Sequence, residues 1–366
     1  MKGLSCGIVG LPNVGKSTLF NALLRKTQAE ASNYPFCTID PNIGIVDLPD
    51  HRLQVLADIS QSKKIVPATL LFVDIAGLVQ GASKGEGLGN QFLTNIRETN
   101  VIIHVVRCFE DDDVVHVRGK VDPLYDIEVI NLELILSDLQ VAENSFQKIE
   151  KQAKGNKELL PTLHTLKRVI AHLNTNQPVR SLKLTKEEEQ SILSYHFITE
   201  KRVIYAANLA EDEITSLNNS HYIAMQDYAS KEGSHVIPFS AKLEEELSQL
   251  SEKESCQYLH SLQIKETGLN RLIKVSFETL GLITFLTTGK QETRAWTITK
   301  NTTAQEGAGK IHTDIKKGFI RAEVIAFEDM VIYQGRNHVK EAGKARAEGK
   351  DYIIQDGDIM LFFHNK

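Results

Sequence analysis

Eight residues near the start of the chain, Gly10-Leu-Pro-Asn-Val-Gly15-Lys16-Ser17, have the spacing GxxxxGKS. Glycines let consecutive backbone N–H groups turn inward around phosphate oxygens, and a helix N-terminus behind them adds a favourable dipole. Lys16 would reach the outer phosphates and the Ser17 hydroxyl would coordinate Mg²⁺. The loop lies between an apolar run and a helical pattern, the setting in which this spacing carries nucleoside triphosphate chemistry.

A second element is Asp74-Ile-Ala-Gly77, which closes the apolar run Leu70–Val73. A carboxylate there can hold the Mg²⁺ shell, and the Gly77 N–H can meet the γ-phosphate. Thr38, in Asn33-Tyr-Pro-Phe-Cys-Thr-Ile-Asp, stands where a GTPase-type enzyme closes a threonine over Mg²⁺; a strand-entry threonine is the plainer reading. The stretch Gly81-Ala-Ser-Lys-Gly-Glu-Gly-Leu-Gly89 carries four glycines and is a candidate switch. After Gly77 comes Leu78, where Ras-like enzymes have a water-orienting glutamine, so hydrolysis is slow or uses another group. His116 is the candidate, since an imidazole can orient water; a surface or core histidine remains the alternative.

The base-reading segment departs from Asn-Lys-x-Asp: it is Asn208-Leu209-Ala210-Glu211. Glutamate is one methylene longer than aspartate and must swing aside or crowd a guanine. Leu209 offers an apolar contact to a base, and Asn208 has the paired donor and acceptor that read adenine in DNA. Ser240-Ala241-Lys242 would add backbone groups beside the base. This chemistry favours ATP, or relaxed choice between ATP and GTP.

The elements that must hold these residues follow from periodicity. Cys6–Val9, Ile43–Val46, Leu70–Asp74, Val101–Val106, Arg202–Asn208 and His235–Ser240 read as strands; Lys16–Lys26, Gly89–Thr99 and Gly268–Leu280 read as helices. Buried strands alternating with helices predict an α/β fold with a doubly wound, mostly parallel sheet. From about 127 to 200 the rhythm breaks. Leu132, Ile135, Leu139, Ala142, Phe146, Ile149 and Ala153 form a heptad-like seam, and Leu159, Leu163, Leu166, Ile170 and Leu173 a second stripe. The expectation is a helical coiled-coil hairpin turning at Gly155-Asn156, with two ordinary surface helices as the alternative. Beyond about Leu282, strand-like runs at Ala295–Ile298, Gly318–Val324 and Asp351–Ile354 predict a small α+β module. The expected domains are 1–280, with the insertion inside it, and 281–364.

The 366 residues exceed one ordinary domain, and 42% hydrophobic with 24% charged content is that of a globular chain. A net charge of −5 names no partner. Four cysteines without CxxC spacing fit a reducing compartment rather than a metal cluster. The N-terminus enters a strand at once, leaving no room for a signal peptide, and no apolar run is long enough for a bilayer. The expected location is cytoplasmic, away from membranes. Lys148, Lys151, Lys154, Lys157, Lys167 and Arg168, against Glu150 and Glu158, leave +4 around the hairpin turn. Such a tip can follow rRNA phosphates; a solvated helix surface accounts for it equally.

Together GLPNVGKSTLFNAL (Gly10–Leu23), NYPFCTIDPN (Asn33–Asn42), DIAGLVQGASKGEGLGNQFL (Asp74–Leu93), HVVRCF (His104–Phe109), NLAE (Asn208–Glu211) and RAWTI (Arg294–Ile298) resemble the YchF family, or Obg-like ATPases, over essentially the whole chain. The resemblance implies a C-terminal TGS domain of ubiquitin-like fold, ATP hydrolysis, and association with the ribosome, chiefly its large subunit. It carries phosphate contacts onto Asn13, Val14, Gly15, Lys16, Ser17 and Thr18, and Mg²⁺ contacts onto Ser17 and Thr38. It implies that an asparagine at Asn13 can hold K⁺ and that His116 matters for hydrolysis. Two other readings stay open: a guanine-preferring translational GTPase, and an RNA- or protein-binding adaptor that nucleotide only stabilises.

Overall fold

In a computed structural model of the chain, residues 4–25, 42–75, 88–111 and 120–365 are described. Its strands are β1 (Ser5–Val9), β2 (Ile43–Asp47), β3 (Lys64–Val66), β4 (Thr69–Asp74), β5 (Val101–Arg107), β6 (Arg202–Asn208), β7 (His235–Phe239), β8 (Leu282–Thr288), β9 (Glu292–Thr299), β10 (Phe319–Ile325), β11 (Arg346–Glu348) and β12 (Ile359–His364). Of the described residues, 4–25, 42–44, 71–75, 88–111 and 120–272 form one compact unit, and 45–70 with 273–365 a second. A stretch of the N-terminal region thus groups with the C-terminal module.

One six-stranded sheet has the order β2-β4-β1-β5-β6-β7. β1 pairs in parallel with β4 and β5, β5 with β6, and β6 with β7. Every residue of β1 and β5 is buried, as parallel strands covered on both faces require, and this is why their sequences run apolar instead of alternating. α1 (Lys16–Arg25), α2 (His51–Ser60) and α3 (Leu88–Glu98) connect the early strands.

Between β5 and β6 the chain leaves the sheet for the helical insertion. α4 (Pro123–Ala153) starts with Pro123 in its first turn and is capped by Asp122, whose carboxylate accepts from the Tyr125 N–H at 3.2 Å. Gly155 and Asn156 turn the chain, the Asn156 side chain caps the next short turn, and α5 (Leu160–Leu173) packs back on α4. Ile135, Ala142, Leu166, Val169 and Leu173 meet in a core with Val179, Ile192 and Phe197. The seam is shorter at its root than its spacing implied, because Leu132 is exposed. Nor is the insertion a bare hairpin: α6 (Lys186–Ile192), started by a Thr185/Glu188 capping box, and short turns around it complete its core.

The insertion is fixed at its base by a buried carboxylate. Asp138, with no exposed surface, accepts from the Ile198 N–H at 3.0 Å, the Thr199 N–H at 2.7 Å and the Thr199 hydroxyl at 2.8 Å, and pairs with Arg97 of α3. Lys201 donates to the Ile96 and Arg97 carbonyls at 2.6 and 2.7 Å, covering the carbonyls that end α3. Beyond β6 come α7 (Glu213–Ser216), α8 (Ser220–Glu232), α9 (Ala241–Leu247), α10 (Glu252–Ser261) and α11 (Gly268–Thr279).

The second unit holds a mixed sheet of order β11-β10-β12-β8-β9-β3, with a core of Phe285, Ile298, Ala304, Ala322, Val324, Ile354 and Met360. Segment 45–70 supplies its edge strand β3, parallel to β9, and α2, whose Arg52 reaches Asp356 at 2.9 Å and Thr284 at 3.1 Å. Asp351–Ile354, expected as a strand, makes only a single bridge, Thr303 to Ile353. The cause is local. Asp358 accepts from the Gln355 N–H at 2.9 Å and the Tyr352 hydroxyl at 2.8 Å, which curls the chain into a turn and leaves β12 to pair with β10 and β8.

Candidate nucleotide site

The described residues singled out by their spacing gather at the C-terminal ends of parallel strands in the first unit, the edge at which open α/β sheets bind ligands. β1 runs into the glycine loop, where Asn13 (φ 62°) and Gly15 (φ 94°) adopt left-handed backbone before α1 begins at Lys16. At Gly15 a side chain is excluded twice: by its φ, and because a Cβ would lie 2.3 Å from Asn208 Nδ2. The Gly15 carbonyl accepts from the Leu19 N–H at 2.9 Å, tying the loop to α1.

β4 lies beside β1 with Asp74 paired to Ile8, so the carboxylate that ends β4 arrives next to the loop. Lys16 donates its ammonium to Asp74 Oδ1. A cavity of about 600 Å³ opens there, lined by Asn13, Lys16, Ser17, Thr18, Asn42 and Asp74 among others. Its volume is that of a small-molecule site. Asn42, unflagged by spacing, reaches the cavity because its carbonyl accepts from the Asp74 N–H at 2.8 Å.

The ends of β6 and β7 form the neighbouring side of the site. Asn208 is 3% exposed. Its amide donates to the Val14 carbonyl at 3.0 Å, and its oxygen accepts from the Ala241 N–H at 3.0 Å. The side chain thus braces the phosphate loop against the Ser240-Ala241-Lys242 turn, with one N–H and one oxygen lone pair beyond those two bonds. Leu209 is buried and its N–H donates to Phe239, so it serves the interior instead of offering a face to a ligand. Ser240, also buried, caps α9 by accepting from the Leu243 N–H at 3.4 Å, while Lys242 is exposed.

Glu211 follows three residues after Asn208. Its Oε1 accepts from the Tyr258 hydroxyl of α10 at 2.7 Å, and that carboxylate holds the phenol above its ordinary pKa. The preceding Ala210 N–H is bound by Glu213 at 3.2 Å, and Glu213 in turn by Asn219 at 2.8 Å. Tyr258 carried no sequence signal: it belongs to no motif and stands far along the chain from Glu211.

Thr38, Gly77, Leu78 and His116 lie outside the described residues, as does 81–87 of the glycine-rich stretch. Among the described residues no three His, Cys, Asp or Glu gather as a metal cage. Ser17 and Asp74 instead present two oxygen donors to one cavity. That suits Mg²⁺, which prefers a few hard oxygen ligands completed by water and phosphate.

A YchF-GTPase_C family model, described as a protein of unknown function (DUF933), matches residues 282–365, and a model described as 50S ribosome-binding GTPase matches 5–137. The "Ribosome-binding ATPase YchF" of Haemophilus influenzae is 54% identical over 364 residues, covering 99% of both chains. The chain belongs to the YchF family. The Bacillus subtilis member is 48% identical with the same coverage. The solved structure of the Schizosaccharomyces pombe YchF GTPase is 35% identical, covers 98% of this chain and 97% of its own, and superposes with a TM-score of 0.86. A GTP binding protein from Pyrococcus horikoshii, 20% identical with a TM-score of 0.60, shares the fold. Among the described residues no helix is long and apolar enough to cross a membrane.

Proposed function

We propose that this protein is a ribosome-associated ATPase whose bound nucleotide sets its grip on the ribosome. The observation that carries the reading is the cavity in which Lys16, Ser17 and Asp74 converge at the end of β1 and β4. Relatives about half identical over their full length are named ribosome-binding ATPases, and the model over residues 5–137 carries the description 50S ribosome-binding GTPase, which supports the large subunit as partner. Mg²⁺, held by Ser17, Thr38 and Asp74, would neutralise phosphate charge during transfer to water. Lys16 holds the outer phosphates and trades its Asp74 contact for them. The Gly77 N–H meets the γ-phosphate and His116 orients the attacking water, since Leu78 has no group to do so. The exposed lysines of the insertion follow rRNA, and 281–364 is a TGS domain.

A guanine-preferring GTPase is the second reading, favoured by the Ser240-Ala241-Lys242 turn and by the fission-yeast relative, which is called a GTPase. Side-by-side equilibrium binding of ATP and GTP with Mg²⁺ separates the two. At least tenfold tighter binding of ATP, about 1.4 kcal/mol, is expected. A preference of that size for GTP would transfer the chain to the guanine readers.

A further inference from the structure

A guanine-reading carboxylate must present both oxygens to the base, because N1–H and the N2 amine donate side by side. In this chain the carboxylate at that place is already engaged. The Tyr258 hydroxyl donates to Glu211 Oε1 at 2.7 Å, a short hydrogen bond to a charged acceptor, the stronger kind. Tyr258 is not a loose side chain. It sits in the middle of α10, which a reciprocal Ser251/Glu254 capping box starts, and the Ser255 hydroxyl binds the Leu247 carbonyl at 3.2 Å. α10 is thereby tied to the end of α9, whose first turn carries Ala241 and, through it, Asn208. The loop on the other side is equally fixed, by Glu213 on the Ala210 N–H. Donor and acceptor are thus both mounted on elements linked, through Ala241 and Asn208, to the phosphate loop.

We infer that Tyr258 is a specificity-determining positioning residue, which holds the Glu211 carboxylate off the purine edge and so penalises guanine relative to adenine. To accept two bonds from guanine, Glu211 must turn both oxygens to the base, away from the orientation in which the tyrosine hydroxyl holds it. To admit adenine it need only stay where it is, since adenine N1 is an acceptor that an approaching carboxylate would repel. This inference rests on the ATP reading above, and its test separates the two.

The experiment measures ATP and GTP affinities, by the same equilibrium method with Mg²⁺, for wild type, Tyr258→Phe, Glu211→Ala and the double variant. Phenylalanine keeps the ring and removes only the hydroxyl. Tyr258→Phe is expected to shift the ATP:GTP preference toward GTP by about three- to tenfold, the value of one partly exposed hydrogen bond to a charged group. In the Glu211→Ala background the same change is expected to leave the ratio unmoved, because the tyrosine then has nothing to hold. A merely structural role would weaken both nucleotides by the same factor, and that outcome overturns the inference. So does a ratio that Tyr258→Phe leaves within twofold while wild type prefers ATP; the ATPase reading then survives alone. A wild type that prefers GTP removes the premise and overturns both.

Discussion

Replacing Asn208 by alanine separates a base-reading asparagine from a brace. Its side chain is almost wholly enclosed, with one bond to the Val14 carbonyl and one from the Ala241 N–H, both at 3.0 Å. Alanine leaves both backbone groups buried without their partner, at roughly 1–3 kcal/mol each. Water entering the space vacated beside Gly15 would recover part of this, so the pair is worth about 2–4 kcal/mol. Because both bonds lie within the chain, the loss should appear in the free protein as a lower denaturant midpoint. Because they hold the phosphate loop and not the base, ATP and GTP should lose affinity together, by about tenfold or more. Equilibrium unfolding with and without nucleotide, followed by titration of both nucleotides, gives all four quantities. Unchanged stability accompanied by a change in the ATP:GTP ratio would refute the brace and restore Asn208 as a reader of the base.

Two further outcomes follow from groups outside the nucleotide cavity. Burial, with Arg180 nearby, pushes the His104 imidazole on β5 down to about 3, and its ring stands against Tyr205, whose hydroxyl is held by Glu232. The unfolded chain takes up that proton near pH 6.5 and the native chain does not, so stability is complete above that pH and falls as pH drops toward 3. From pH 7 to 5 this one group should cost about 2 kcal/mol, a slope that His104→Phe should remove; parallel unfolding curves for the two proteins would exclude it. At the hairpin tip, Lys148, Lys151, Lys154 and Lys157 are all exposed, whereas Arg168 is paired with Glu188. Replacing the four by alanine should weaken binding to isolated large ribosomal subunits and flatten its salt dependence without lowering thermal stability; an unaltered salt slope would assign the tip to solvent.

How far the sequence spoke depended on the range of the interactions involved. The central strands β1, β5 and β6 were legible because burial on both faces leaves continuous apolar runs, and Arg202–Asn208 was read to the residue. The phosphate loop was legible because its geometry is local: Gly15 must be glycine, and the lysine and serine follow by fixed spacing. Asp351–Ile354 was misread because a strand-like composition was overruled by a single carboxylate, Asp358, that no periodicity reveals. The capture of segment 45–70 by the C-terminal unit was invisible for the same reason. It depends on Arg52 finding Asp356 and Thr284, contacts that only the folded chain brings together.

The base side of the site shows where reasoning from residue type reaches its limit. Asn208 has the right donor and acceptor for a purine, and Leu209 the right apolarity, yet the fold engages the first with backbone and buries the second. A motif names the groups available; competition for them inside the fold decides which remain for a ligand. Glu211 follows the same logic. Taken alone, it is an oversized aspartate that a guanine would have to tolerate. With Tyr258 on its carboxylate, it is an acceptor already held in one orientation, and on the inference above a guanine would have to turn it against that hold.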